Sequence, residues 1–315
     1  MRILVTGAAG FIGSHLAERI SFLGHDVEGL DCLTDFYARS LKKDNLKALS
    51  GKGIKVRQLD LAKDDISHAV QGMDIVFHLA AQPSISPDVH FTEYWKNNVL
   101  ATHNLLESVK HSPSLKILVY VSSSSVYGAN AGGSETSEPK PVSVYGVTKL
   151  AAEQLVLART RNNNLPGCSV RLFSVYGPRE RPDKLYFQLI RCALENKPFN
   201  LFRTSAEHMR SYTYVDDAVL GLTLVVDNID RCPGEIFNIG SETAVSTAEG
   251  IMMVEKILGK KISINTIAER AGDQIRTRAN IGKARSLLGY QPSTGLYEGL
   301  EREVEWFREF ISKKL

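Results

Sequence analysis

The chain has 315 residues, 43% of them hydrophobic and 23% charged, with a net charge of +3. That length supports a large core and a smaller companion lobe, and so mild a charge gives no case for nucleic acid or a membrane surface. No apolar stretch is long enough to span a bilayer, and Cys32, Cys168, Cys192 and Cys232 are too scattered for a zinc site or a disulfide framework. A reducing, cytoplasmic setting is expected, since the first strand begins at once and leaves no room for a leader.

The chain opens on the apolar run Ile3-Leu4-Val5, which leads straight into Thr6-Gly7-Ala8-Ala9-Gly10-Phe11-Ile12-Gly13. A turn that tight needs glycine for its backbone conformation and for close approach of a phosphate. The helix expected over Ser14 to Leu23 aims free N–H groups and its positive dipole end at the turn. A dinucleotide pyrophosphate is the expected occupant. Short apolar runs then alternate with amphipathic stretches, the pattern of β-α-β units and a doubly wound parallel sheet. Strands are expected at Asp26-Asp31, Lys55-Asp60, Ile75-Leu79, Ile117-Val121 and Ser169-Phe173, each buried on both faces. Helices are expected around Ile66-Gln71, Glu93-His111 and Val147-Arg161, with a surface loop over Ala129-Pro141.

Past Pro178 the alternation weakens. Helices at Leu185-Glu195 and Thr247-Leu258 and short strands at Ser211-Tyr214 and Ile236-Ile239 suggest a smaller α/β lobe. It should close over the carboxyl ends of the strands, where open sheets bind ligands. The expected division is a cofactor domain over 1–175, to which later segments return, and a substrate lobe mainly over 176–315.

Four stations carry chemistry. Asp31 ends the second strand at the distance from the glycine turn where an acid meets an adenosine ribose, favouring NAD over NADP; a solvated strand-end aspartate would look the same. Asp60-Leu61 ends the third strand and can flank the adenine. Ser122-Ser123-Ser124-Ser125 follows the fifth strand, suited to bonding a substrate oxygen or to closing its own turn. Tyr145-Gly146-Val147-Thr148-Lys149 sets a phenol and an ammonium on one helical face. A free tyrosine, with a pKa near ~10, is a poor base at neutral pH. A neighbouring lysine would favour the phenolate and let Tyr145 take a proton as hydride leaves the adjoining carbon. Spacing alone leaves an accidental pair open.

Together, the Thr6-Gly7-x-x-Gly10-x-x-Gly13 turn, the serine run and Tyr145-x-x-x-Lys149 resemble the extended short-chain dehydrogenase/reductase superfamily. More narrowly, they are similar to its nucleotide-sugar epimerase and dehydratase branch. The resemblance spans nearly the whole chain, to Gly289-Tyr290-Gln291-Pro292 and a final helix. It implies a Rossmann-type fold and NAD, with Gly7, Gly10, Phe11, Ile12 and Gly13 on the pyrophosphate, Asp31, Asp60 and Leu61 on the adenosine, and Leu79, Ala80, Ala81, Asn98 and Phe173 along the cofactor cleft. Ser123, Tyr145 and Lys149 match the catalytic group, with Lys149 also bonding the nicotinamide ribose. Ser84, Ser123, Tyr145, Ser174, Arg181, Arg210, Arg270 and Asp273 match positions facing the sugar diphosphate. Arginine suits that task because its planar fork binds oxygens in pairs. No metal is implied, and pairing of relatives through two helices implies a homodimer.

Within that branch, dehydratases and sugar-acid decarboxylases carry acids where Ser124 and Ser125 stand here, so elimination is poorly served. Phe173-Ser174-Val175-Tyr176-Gly177-Pro178-Arg179-Glu180-Arg181-Pro182-Asp183 is most similar to UDP-glucuronate 4-epimerases, where an arginine placed like Arg181 faces the sugar carboxylate. Two stretches depart from that group: Pro83-Ser84-Ile85-Ser86, which lacks an arginine, and Leu201-Phe202-Arg203-Thr204-Ser205-Ala206-Glu207 beside the nucleobase. The implied reaction is 4-epimerisation through a transient 4-keto sugar, with UDP-glucuronate preferred. A neutral UDP-hexose or UDP-N-acetylhexosamine epimerase, a net nucleotide-sugar dehydrogenase or dehydratase, and a silent NAD-binding sensor or scaffold are the alternatives.

Overall fold

Apolar β-branched runs fill both faces of a parallel sheet in the computed structural model, which describes residues 1–86, 88–163, 165–269 and 272–312. Its seven strands are β1 (Arg2–Thr6), β2 (Asp26–Asp31), β3 (Lys55–Gln58), β4 (Ile75–His78), β5 (Ile117–Ser123), β6 (Gly167–Leu172) and β7 (Ile236–Ile239). They lie in the order β7-β6-β5-β4-β1-β2-β3, all parallel. Alternation across the sheet feeds two cores. Ile3, Val5, Ile75 and Phe77 enter one, while Leu4, Val76, Leu118 and Tyr120 enter the other. The winding reverses between β1 and β4, which opens a crevice at their carboxyl ends.

Helix α1 (Phe11–Phe22) starts three residues before the expected position, because Gly10 already serves as its N-cap. Helix α2 (Arg39–Gly51) follows β2, and a single turn at Ser67–Val70 follows β3. The stretch expected as one helix over Glu93-His111 is composite. An α-turn at Phe91–Tyr94 passes through a π-turn at Trp95–Leu100 into α3 (Ala101–Val109). Helix α4 (Val144–Arg161) carries the Tyr-x-x-x-Lys pair, and its N-cap Ser143 accepts the Gly146 N–H at 3.1 Å.

Beyond residue 176 come α5 (Leu185–Glu195), α6 (Val215–Asp227), α7 (Thr247–Leu258) and α8 (Leu296–Ser312). β7 is the outer strand of the main sheet beside β6, not a piece of a separate lobe, and α6 packs on α1. Short strands at Val245–Ser246, Met209–Arg210, Arg276–Thr277 and Asn130–Ala131 form a second, small sheet, from which Arg210 reaches the cleft.

Two further expectations need correction. β3 is exposed at Lys55, Arg57 and Gln58, because it is the sheet edge rather than an interior strand. The stretch Ala129-Pro141 is not simply a surface loop: Ala131 and Glu135 are buried, and Glu135 accepts the Asn238 N–H at 2.8 Å. Among the described residues no helix is long and apolar enough to cross a membrane, no metal-ligating cluster occurs, and the four cysteines are free thiols.

Candidate active site

The crevice between β1 and β4 continues as one cleft into the second half of the chain. Its floor is the glycine turn. Gly7 has φ +71°, and a Cβ on Gly13 would stand 2.1 Å from the Gly7 carbonyl oxygen. The Gly10 N–H closes the turn on that same oxygen at 3.0 Å. The opening amides of α1 have no acceptor within their own helix, and Phe11, Ile12 and Gly13 line the cleft. A cradle that only glycine can form, under a helix N-terminus, fits a pyrophosphate.

At the end of β2 the buried Asp31 carboxylate accepts the Ala9 N–H at 3.1 Å and the Leu33 N–H at 2.8 Å. It therefore braces the turn as well as lining the cleft. Asp60 and Leu61 line the same end; the Asp60 carboxylate accepts the Ala62 N–H at 2.9 Å and lies 3.5 Å from the Lys96 ammonium. Leu79, Ala80 and Ala81 line the opposite wall, with the N–H groups of Leu79 and Ala80 held by the Thr6 hydroxyl at 3.2 and 3.1 Å.

Asn98 and Phe173 stand behind the wall instead of lining it. The π-turn buries Asn98, whose amide accepts the Gln82 N–H at 2.6 Å and donates to the Gln82 carbonyl at 3.2 Å and to the Thr148 hydroxyl at 3.0 Å. The Phe173 ring packs in the core 6.2 Å from Tyr127, while its neighbours Leu172 and Ser174 face the cleft.

The reacting end gathers β5, α4 and the loop after β6. Ser123 accepts the Ser125 N–H at 3.1 Å, and its hydroxyl stands close enough to the Tyr145 phenol to favour the phenolate. Lys149 lines the cleft beside Tyr145 and is held from below. Its ammonium donates to the Val121 carbonyl at 2.6 Å and sits 4.3 Å from the Tyr120 ring centroid. Burial pulls Lys149 down to about 7, against the opposing pull of Glu153. Burial pushes the Tyr145 phenol up; Ser123 and the Arg181 guanidinium are what pull it back. The nearby cation acting on that phenol comes from the second half of the chain.

Arg181 binds Asp183 through Nε and Nη2, both at 2.9 Å, and this pairing holds the Asp183 carboxyl well below its ordinary range despite burial. Ser84 lines the cleft at φ +73° and supports Asp183 as a hydrogen-bond partner. Ser174 lines it at φ +27°. Arg210 and Asp273, 63 positions apart, meet at 3.4 Å and both line the cleft. Arg270 lies outside the described residues.

Several lining residues carry no sequence motif: Tyr37 after β2, and Lys184, His208, Tyr212 and Thr247 beyond. Gln274 was also missed. Its amide donates to the carbonyls of Ser124 at 3.2 Å and Gly128 at 2.9 Å, pinning the serine turn. Its one signal was its place next to Asp273.

A reversed-winding parallel sheet, a glycine cradle and a phenol beside a serine define a dinucleotide-dependent enzyme fold acting on an alcohol. Residues 3–240 match the model of the NAD dependent epimerase/dehydratase family, and the chain belongs to that family. It is 38% identical over 311 residues to an uncharacterized UDP-glucose epimerase, YtcB, of Bacillus subtilis (strain 168), covering 97% of this chain and 98% of the relative. It is 34% identical over 331 residues to UDP-glucuronate 4-epimerase 1 of Arabidopsis thaliana, covering 98% of this chain and 77% of that one. Among solved structures, UDP-glucuronic acid 4-epimerase from Bacillus cereus, in complex with UDP-glucuronic acid and NAD, superposes with a TM-score of 0.94 at 37% identity, covering 98% of this chain and 100% of that one.

Proposed function

We propose that this protein is an NAD-dependent UDP-sugar 4-epimerase, with UDP-glucuronate and UDP-galacturonate as its preferred pair. The observation that carries the reading is the meeting of Ser123, Tyr145 and Arg181 in a cleft continuous with the glycine cradle. NAD, when bound, supplies a reversible hydride acceptor next to the sugar's C4. Gly7, Gly10, Phe11, Ile12 and Gly13 hold its pyrophosphate, and Asp31 accepts from its adenosine ribose and repels an added phosphate. Tyr145 takes the C4 hydroxyl proton, with Ser123 bonding the same oxygen, and returns it after the 4-keto sugar has turned over. Arg181 pulls the buried phenol's pKa back down and meets the sugar carboxylate; Ser174, Arg210, Arg270 and Asp273 hold the diphosphate end.

No carboxyl stands at Ser124 or Ser125, so water loss has no acid to drive it there. Residues 1–175, with β7 and α6, serve the cofactor, and most of 176–315 serves the sugar nucleotide. Exposed Phe91, Trp95, Val144 and Val147 make an apolar face on the helices expected to pair in a cytoplasmic homodimer, which sedimentation tests. For the activity itself, purified protein with its own bound NAD is incubated with UDP-glucuronate and no added cofactor. Equilibration with UDP-galacturonate, without accumulation of NADH, is the expected result. Stoichiometric NADH would make it a net dehydrogenase, and inertness toward UDP-, GDP- and dTDP-sugars would leave a binding protein.

A further inference from the structure

Three cations from the second half of the chain reach into the cleft: Arg181, Lys184 and Arg210. Each arginine has a carboxylate beside it, Asp183 and Asp273 respectively. The Lys184 ammonium makes no hydrogen bond or ion pair among the described residues, so its charge is left for something else. Lys184 is the N-cap of α5, and its side chain feels Arg181, Asp183 and Arg210 from the cleft side.

Behind it lie two acids unused by the chemistry above. Glu180 is 2% exposed and Glu303, from α8, is 0% exposed. Glu180 accepts the Phe187 N–H at 3.1 Å, capping the first turn of α5. Glu303 faces Glu180 and the Gly177 N–H, but neither of its oxygens has a well-formed hydrogen bond. Carboxyls that close in the interior cannot both ionise, so the pair retains a proton. Burial raises both, Glu180 to about 7, and Glu180 is the acid that most opposes the downward pull of burial on Lys184. Tyr176, Tyr186, Tyr212 and Tyr214 also border the pair, and burial pushes each of their phenols up, so they stay neutral near pH 7.

We propose that Lys184 is a further substrate-binding residue, its ammonium taking a diphosphate oxygen of the sugar nucleotide, with Glu180 and Glu303 as the positioning counter-charge beneath it. Lys184 shares the cleft with Arg181, at the sugar, and Arg210, at the diphosphate end, and feels the charge of both, which favours the diphosphate as its partner. Glu180 opposes the downward pull of burial on that ammonium. This assignment rests on the UDP-sugar reading.

The test measures binding of UDP and of UDP-glucuronate to the NAD-loaded protein from pH 6 to 9, with NAD content and melting temperature followed for each variant. Lys184→Met should weaken UDP at least about tenfold, as loss of a charge-assisted bond does, while Lys184→Arg retains most of the affinity. Glu180→Gln/Glu303→Gln should lose UDP affinity at a lower pH than wild type, because the ammonium then gives up its proton earlier, whereas Glu303→Gln alone, which removes the acid that keeps the shared proton, should leave the profile where it is. Unchanged UDP affinity in Lys184→Met overturns the assignment, as does weakening confined to UDP-glucuronate. An unshifted pH profile in the double acid variant, or a downward shift in Glu303→Gln alone, overturns the role of the pair. Wild-type protein that binds no UDP at all would overturn the functional reading as well.

Discussion

Arg181 grips Asp183 at two points, both 2.9 Å, so the cation that faces Tyr145 is already half neutralised by its own chain. A sugar carboxylate arriving there competes with an internal one. Asp183→Asn should therefore raise the preference for UDP-glucuronate over UDP-glucose several-fold, read as the ratio of kcat/KM values. Arg181→Met should lower that ratio by tenfold or more, since it removes a charge-assisted fork. Equal losses on both sugars would mean the pair only shapes the loop.

The phenol gives a second test. Tyr145→Phe should cut kcat by about a hundredfold or more, the usual worth of a positioned general base, while NAD stays bound. Because burial raises the Tyr145 pKa and Arg181 lowers it, removing that cation leaves less phenolate at any given pH. The acidic limb of the kcat profile in Arg181→Met should move to higher pH, which rate measurements from pH 6 to 10 resolve.

Gly13 allows no side chain, since its Cβ would meet the Gly7 carbonyl oxygen at 2.1 Å. Gly13→Ala should purify with little or no bound NAD and a lowered melting temperature. Retention of stoichiometric NAD by that variant would contradict the cradle.

Asn98 should behave as a brace. Asn98→Ala leaves the buried Gln82 N–H and carbonyl without their partner, a loss of about 1–3 kcal/mol in stability. Chemical denaturation measures it. Loss of NAD affinity with no loss of stability would instead make Asn98 a direct cofactor contact.

The Glu180–Glu303 pair predicts a pH dependence of folding. Glu180 titrates near 7 in the fold, above its ordinary value of 4.5. Between those values the native state holds the extra proton, so its contribution to stability is full below about 4.5 and disappears as pH rises through about 7. The melting temperature of wild type should fall more between pH 5 and 7.5 than that of Glu180→Gln/Glu303→Gln.

How far the sequence was legible depended on whether a residue's neighbours were near in the chain. β1, the glycine turn and β2 are local and strongly patterned, and their expected bounds match the structure within a residue or so. Helix α6 escaped notice because it is buried on most sides, so its apolar residues follow no 3.6-residue period. Helix α2 escaped for the opposite reason, having only Lys42, Asn45 and Leu49 buried. The lysine of Tyr-x-x-x-Lys was correctly placed on its helix, but no spacing could show that the Val121 carbonyl captures its ammonium. The Arg210–Asp273 meeting and the Gln274 clamp are equally tertiary, and Lys184 belongs to no pattern in the sequence.

β7 enters the main sheet only after the segments carrying Arg181, Lys184 and Arg210 have been laid down. The two binding halves therefore cannot be swapped between relatives as cassettes at one splice point. A chimera cut near residue 175 would set β6 against a foreign β7, across a core the two strands were never packed to share. Transplanting a new sugar preference calls for grafting separate loops onto an intact frame.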